Sequence, residues 1–236
     1  MKKLCRRLRA LILDLLFPIE CFNCRCEGDY LCEKCFWELK FNDGEYLKRA
    51  RANLKTPNLE KIIIAGDFEN SILHNLIIKY KYNFISALGK TLARFLILFW
   101  QNQVLKQDPN QAKSYFAQPA RLNLLVIPIP LSKKRRQWRG FNQAEILARE
   151  FSAYFNYELN LDLKRLKHKK PQATLNEAER LENVKSIFAW QGKNLSNYTI
   201  ILIDDVITTG ATLNEAALVL KEAGAKKIYG LVIAKG

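Results

Sequence analysis

Residues Thr199–Leu213 read TIILIDDVITTGATL. The apolar run Ile200–Ile203 has the composition of a strand buried on both faces. It leads into two carboxylates, Asp204 and Asp205, and then into the small, hydroxyl-rich loop Thr208, Thr209, Gly210, Ala211 and Thr212. A helix is expected immediately afterwards. Open α/β sheets bind ligands at the carboxyl ends of their strands. Adjacent carboxylates there accept hydrogen bonds from a vicinal diol such as that of a ribose. The loop offers backbone N–H groups to a phosphate, Gly210 permits close approach, and the following helix dipole favours the anion. No G-x-x-x-x-G-K occurs, which excludes a nucleoside-triphosphate loop. An ordinary strand–turn–helix with a threonine cap is the plain structural alternative.

The segment resembles the signature of type I phosphoribosyltransferases. That resemblance implies that Asp204 and Asp205 hold the ribose of phosphoribosyl pyrophosphate and that Thr208–Thr212 hold its 5-phosphate. Working outward, Ile127–Ala144 reads IPIPLSKKRRQWRGFNQA. It sets Arg135, Arg139 and Gly140 beside a strand end, where planar guanidinium forks suit a pyrophosphate. A solvated basic loop is the simpler reading of the charges alone. The full string resembles the competence protein F (GntX-type) family. A third stretch, Arg165–Phe188, is similar to the family's mobile loop. The resemblance places Arg165, Lys169 and Gln172 near the pyrophosphate, with Arg139 and Arg165 as the catalytic arginines.

The cysteines are concentrated elsewhere. All six lie within the first 35 residues. Cys21-x2-Cys24 and Cys32-x2-Cys35 are two knuckles with the spacing of a tetrahedral, four-thiolate zinc site. Cys26 is close enough in sequence to compete as a ligand but reads as a spare thiol, and Cys5 as a free one; reduced thiols without metal are the alternative. The competence protein F family also carries an N-terminal zinc module. A closed four-thiolate site is structural. A module of this size has little core of its own, so bound metal would supply folding energy.

The chain is 236 residues long, 49% apolar and 26% charged, with a net charge of +15. Basic clusters at Lys2–Arg9, Lys133–Arg139 and Lys164–Lys170 favour polyanionic partners. The longest apolar runs, Ala10–Phe17 (interrupted by Asp14) and Phe95–Trp100, fall short of the about 20 residues of a membrane span. No small-residue cleavage site follows the first run, so stable membrane insertion is not expected and a cytoplasmic location is. The basic N-terminal segment Lys2–Phe17 reads as an amphipathic helix packed on the protein, contact with an acidic membrane surface being the other reading.

Strands are expected at Lys61–Phe68, Leu124–Ile129, Ile187–Trp190, Tyr198–Ile203 and Ile228–Ala234. Helices are expected at Asn70–Tyr82, Ile85–Trp100, Gln143–Phe155 and Leu213–Ala223, the last capped by Gly224. Gln101–Arg121 reads as a linker. The alternation predicts an α/β, type I phosphoribosyltransferase fold with a mostly parallel sheet and a small N-terminal four-cysteine zinc module. Its parts are residues 1–45 (helix and zinc module), 60–100 (hood) and 123–236 (phosphoribosyltransferase core).

Two functions follow. The resemblance implies a protein that binds phosphoribosyl pyrophosphate with Mg²⁺, and also single-stranded DNA taken up in natural transformation. A helicase or the inner-membrane DNA-uptake machinery would be its partner. Lys and Arg clusters near Trp138 and Phe141 suit backbone charge and base stacking. The alternative is a metabolic phosphoribosyltransferase acting on a small nitrogen acceptor. Nothing in the hood reads as a base-recognition pocket.

Overall fold

A computed structural model describes residues 18–42, 54, 56–106, 123–166 and 187–236. The readings made for Lys2–Phe17, Cys5, Lys169, Gln172 and most of the 101–121 linker lie outside the described residues.

The described elements are α1 (Glu33–Trp37), β1 (Lys61–Ile64), α2 (Ser71–Tyr82), α3 (Leu88–Lys106), β2 (Leu124–Pro128), α4 (Lys133–Arg139), α5 (Gln143–Phe155), β3 (Glu158–Leu159), β4 (Leu163–Arg165), β5 (Phe188–Trp190), β6 (Thr199–Ile207), α6 (Ala211–Glu222) and β7 (Lys227–Lys235). The main sheet has the order β1-β7-β6-β2-β3 and is parallel throughout. A short antiparallel pair, β4-β5, stands apart.

The near-continuous apolar strands follow from burial on both faces. On one face Leu73, Leu76, Ile77, Leu92, Phe95 and Phe99 of α2 and α3, with Leu147 and Phe151 of α5, pack on Val126, Ile201 and Leu231. On the other, Leu213, Ala216, Ala217 and Leu220 of α6 pack on Ile200, Leu202 and Val232. The apolar residues of the cysteine module, Leu31, Phe36 and Leu39, belong to the first cluster. Arg94 of α3 adds a paired contact to Glu33, with Nη2 3.0 Å from Oε2, and its guanidinium covers Phe36 at 4.1 Å.

Several boundaries differ from expectation. β1 ends at Ile64 because Asp67 closes a turn, its carboxylate accepting from the Glu69 N–H at 2.8 Å. Asn70 then caps α2, accepting from Leu73 N at 3.0 Å. α3 runs on to Lys106, into the stretch read as linker. The basic Lys133–Arg139 segment is a helix rather than a loop. Ser132 caps it through Arg135 N at 3.3 Å, and Gly140 ends it in the left-handed conformation at φ 77°. β3 and β4 were not expected, and β4 takes in Arg165, which the sequence assigned to a loop.

Candidate functional site

The central strand β6 is longer than its apolar run and carries both carboxylates within it. Its pairing with β2 stops at Pro128↔Ile203, after which Ile129 N–H donates to Ile203 O at 2.9 Å. Its pairing with β7 continues to Ile207↔Lys235. Beyond Ile203, therefore, β6 is flanked on one side only. Asp204 and Asp205 sit in the notch left where β2 departs.

Asp204 Oδ1 accepts the N–H of Asp205 at 2.8 Å, and Asp205 Oδ1 accepts that of Val206 at 2.6 Å. Burial, together with the Asp205 charge, pushes the Asp204 carboxyl up to about 7. The N–H of Asp205 and the cations Lys81 and Arg165 oppose the rise. Lys81, from the last turn of α2, places Nζ 3.0 Å from Asp205 Oδ1. Sequence reasoning missed Lys81. It stands in an apolar-periodic helix with no motif around it.

The loop after β6 is shorter than expected: Thr208, Thr209 and Gly210 form it, and Ala211 and Thr212 already belong to α6. Thr208, Thr209 and Ala211 are exposed, Thr212 is half-buried and Gly210 is buried. Gly210, at φ 85°, is the N-cap residue of α6, and Thr209 Oγ1 just before it accepts the Ala211 N–H at 3.4 Å. A Cβ at Gly210 would lie 2.5 Å from Thr56 Cγ2. Both conformation and space require glycine there.

The arginines fall into two environments. Arg139 is buried at 9% exposure, yet its Nη1 finds only the amide oxygen of Gln143, at 3.1 Å, and its Nε has no partner. Among the described residues no carboxylate pairs with it. Its guanidinium lies 5.6 Å from the Tyr82 ring and 5.9 Å from that of Trp138. A buried cation without a counter-ion is costly and marks a place for an anion. Arg165, half-buried over Phe188, has its guanidinium lowered by burial and by Arg135, while Asp204 opposes the shift. Those couplings bring Arg135, Arg165 and Asp204 into one electrostatic neighbourhood. Arg135 and Gly140 are exposed, and Lys169 lies outside the described residues.

In the N-terminal module Cys24 Sγ is 3.4 Å from Cys26 Sγ and 3.5 Å from Cys32 Sγ. The thiols of Cys21, Cys24, Cys26 and Cys32 all lie within 4.8 Å of one another. Four thiolates around zinc, at about 2.3 Å each, stand about 3.8 Å apart, so the donor set fits that ion. Cys35, buried, accepts from Asn23 Nδ2 at 3.3 Å and also borders Cys21, Cys24 and Cys32. Cys21, Cys24 and Cys32 of the two expected knuckles thus converge with Cys26, while Cys35 stands outside that group. Burial raises the Cys21 thiol, but the N–H groups of Cys24, Cys32 and Asn23 outweigh it and bring it to about 6.

Competence protein F of Haemophilus influenzae is 32% identical over 215 residues, covering 90% of this chain and 82% of that protein. The chain belongs to the competence protein F family. A phosphoribosyl transferase domain matches residues 138–235, from the end of α4 to β7. Within the family, competence protein ComFC of Streptococcus pneumoniae is 33% identical, covering 69% of this chain and 64% of its own length. The DNA utilization protein YhgH of Escherichia coli K12 is 26% identical, covering 78% and 75%. A solved purine phosphoribosyltransferase from Pyrococcus horikoshii aligns over 58% of this chain and 83% of its own, with 17% identity and a TM-score of 0.31. This chain has a phosphoribosyltransferase-type, mostly parallel sheet and an N-terminal cysteine cluster. No helix among the described residues is long and apolar enough to cross a membrane.

Proposed function

We propose that the protein binds phosphoribosyl pyrophosphate at the β6 notch and single-stranded DNA on the adjoining basic face, and that it serves DNA uptake in natural transformation. The observation that carries the donor site is the Asp204–Asp205 pair with the glycine-capped loop after β6, together with the buried Arg139, which has no carboxylate partner among the described residues and lies 5.6 Å from the ring of Tyr82, next to Lys81. The names of the relatives, competence protein F and DNA utilization protein, support the DNA role.

In this reading Asp204 and Asp205 accept the ribose hydroxyls. The N–H groups of Thr208–Thr212 hold the 5-phosphate at the α6 N-terminus. Arg139, Arg135 and Arg165 face the pyrophosphate, with Lys169 and Gly140 at its border. The carboxylates are hard oxygen donors that suit Mg²⁺, which would neutralise pyrophosphate charge when bound. Transfer itself would need an incoming nitrogen to attack C1 as pyrophosphate leaves, with Arg139 and Arg165 stabilising the leaving charge. The cysteines hold a structural zinc, with Cys21, Cys24 and Cys32 joined by Cys35 or Cys26. A helicase or the uptake machinery is the partner class, and the cytoplasm the compartment.

Titrating fluorescent single-stranded DNA against the protein over a salt series tests the DNA half. Affinity that falls steeply and linearly in log–log with salt is expected. Undetectable DNA binding together with phosphoribosyl transfer to a small nitrogen acceptor, with release of pyrophosphate, would favour a metabolic enzyme instead.

A further inference from the structure

The C-terminal turn of α2 does more than present Lys81 to Asp205. The next residues, Tyr82, Asn83 and Phe84, leave the helix beside α4. Tyr82 is 55% exposed, Phe84 40% and Trp138 57%. The three rings form one cluster. Phe84 meets Trp138 edge to face at 5.0 Å and 89°, and Tyr82 meets it at 6.3 Å and 62°. Phe84 holds a left-handed backbone at φ 57°. Asparagine or glycine adopts that conformation cheaply, so a phenylalanine kept there, pointing to water, signals use of the ring.

The surroundings specify the ligand. The Arg139 guanidinium stands within reach of both the Tyr82 and Trp138 rings. Lys133, Lys134 and Arg135, one helical turn away on α4, are exposed and carry no ion pair among the described residues; Arg136 does, with Glu145 at 3.4 Å. Flat aromatic faces flanked by unpaired cations match an unpaired nucleobase with its phosphate, since bases stack on the rings while the backbone meets the charges. Duplex DNA hides its base faces and gains only the charge. Phe141, which the sequence grouped with Trp138, takes no part: it is half-buried against Tyr80 at 5.3 Å.

We infer that Tyr82, Phe84 and Trp138 form a nucleobase-stacking platform that selects single-stranded over duplex nucleic acid, next to the β6 notch. The inference rests on the single-strand reading above and names the surface that carries it. Because Lys81 and Tyr82 are consecutive, Tyr82 of the platform and the counter-ion of Asp205 share one helix turn.

The test uses the full-length protein, fluorescence anisotropy, and a thymidine oligonucleotide of about 20 nucleotides beside a blunt duplex of equal length. The wild type prefers the single strand. Trp138→Ala weakens single-strand binding about tenfold or more, leaves duplex binding and the salt slope nearly unchanged, and Trp138→Phe restores most of the loss. Thermal melting confirms that each variant folds, and the pair Tyr82→Ala and Phe84→Ala provides an independent route to the same surface. If the wild type binds single strands and none of these variants weakens it, the platform is wrong while the DNA reading stands. If the wild type binds no single strand, the DNA reading itself falls. If Trp138→Ala instead turns a dimer into a monomer, the rings cover a second copy of this chain and the inference is overturned.

Discussion

Lys81 Nζ lies 3.0 Å from Asp205 Oδ1, and the two side chains are only 17% and 10% exposed. Helix α2 thus supplies the counter-ion for a carboxylate pair on the central strand. Without it, Asp204 and Asp205 would share the notch with less to offset their repulsion. Replacing Lys81 by Met strands a buried charge and should cost roughly 1–3 kcal/mol. Lys81 also opposes the rise of Asp204, so the loss should be larger at pH 8 than at pH 5. Thermal melts at the two pH values check this; an equal loss at both would contradict the pairing.

Asp204 gives a pH dependence of definite sign. Its folded value, about 7, lies above its ordinary one. Between roughly pH 4 and pH 7 the folded state therefore holds a proton that the unfolded state has lost. The stability this contributes is present below pH 4 and is lost as pH rises through about 7, on the order of 2–4 kcal/mol at most. Asp204→Asn should flatten that slope. Urea melts of both proteins across pH 5 to 8 read it directly. A wild-type curve that climbs over the same window, with all else unchanged in the variant, would show the shift to have the opposite sign.

Arg139 predicts a separation of stability from binding. Arg139→Met removes a buried cation that has no carboxylate partner among the described residues, so the melting temperature should hold or rise. Phosphoribosyl pyrophosphate affinity should fall by at least tenfold, as expected for loss of a charge-assisted contact. A variant that melts lower yet binds normally would make Arg139 a structural residue.

Gly210→Ala places a methyl 2.5 Å from Thr56 Cγ2 in a left-handed conformation. The cost should be about 1–2 kcal/mol, with the Thr208–Gly210 loop displaced. Circular dichroism melts and ligand titration would both register it, and a neutral result would mean the loop yields freely.

Removing metal should be felt beyond the cysteines. Leu31, Phe36 and Leu39 share the core of α2 and α3, and Arg94 clamps Glu33. A strong chelator should therefore lower the melting temperature of the whole protein. One zinc per chain is expected by mass spectrometry under native conditions. Comparing Cys26→Ser with Cys35→Ser identifies the fourth ligand, because only loss of a true ligand lowers zinc retention.

The sequence carried some of these relations and not others. The apolar runs of β2, β6 and β7 and the stripe Leu73, Leu76, Ile77 and Tyr80 of α2 are periodic, so local pattern sufficed. The carboxylates, the Thr-Thr-Gly loop and the cysteine knuckles are contiguous motifs, and their chemistry is local as well. Helix α4 was hidden because Lys133–Arg136 has no apolar stripe, although Ser132 and Gly140 bracket it as caps. Lys81, Tyr82 and Phe84 acquire their roles only through strand order and helix docking, which bring Lys81 to Asp205, more than a hundred positions on, and the two rings to Trp138 of α4, more than fifty positions on. Nothing in their own neighbourhood announces it.

The central claim is that the β6 notch binds phosphoribosyl pyrophosphate. Calorimetric titration of that ligand with Mg²⁺ into the wild type and into the Asp204→Asn/Asp205→Asn variant tests it most directly. The account predicts saturable binding to the wild type and its loss in a variant that remains folded. Absence of binding by the wild type, or unchanged binding by the variant, would contradict it.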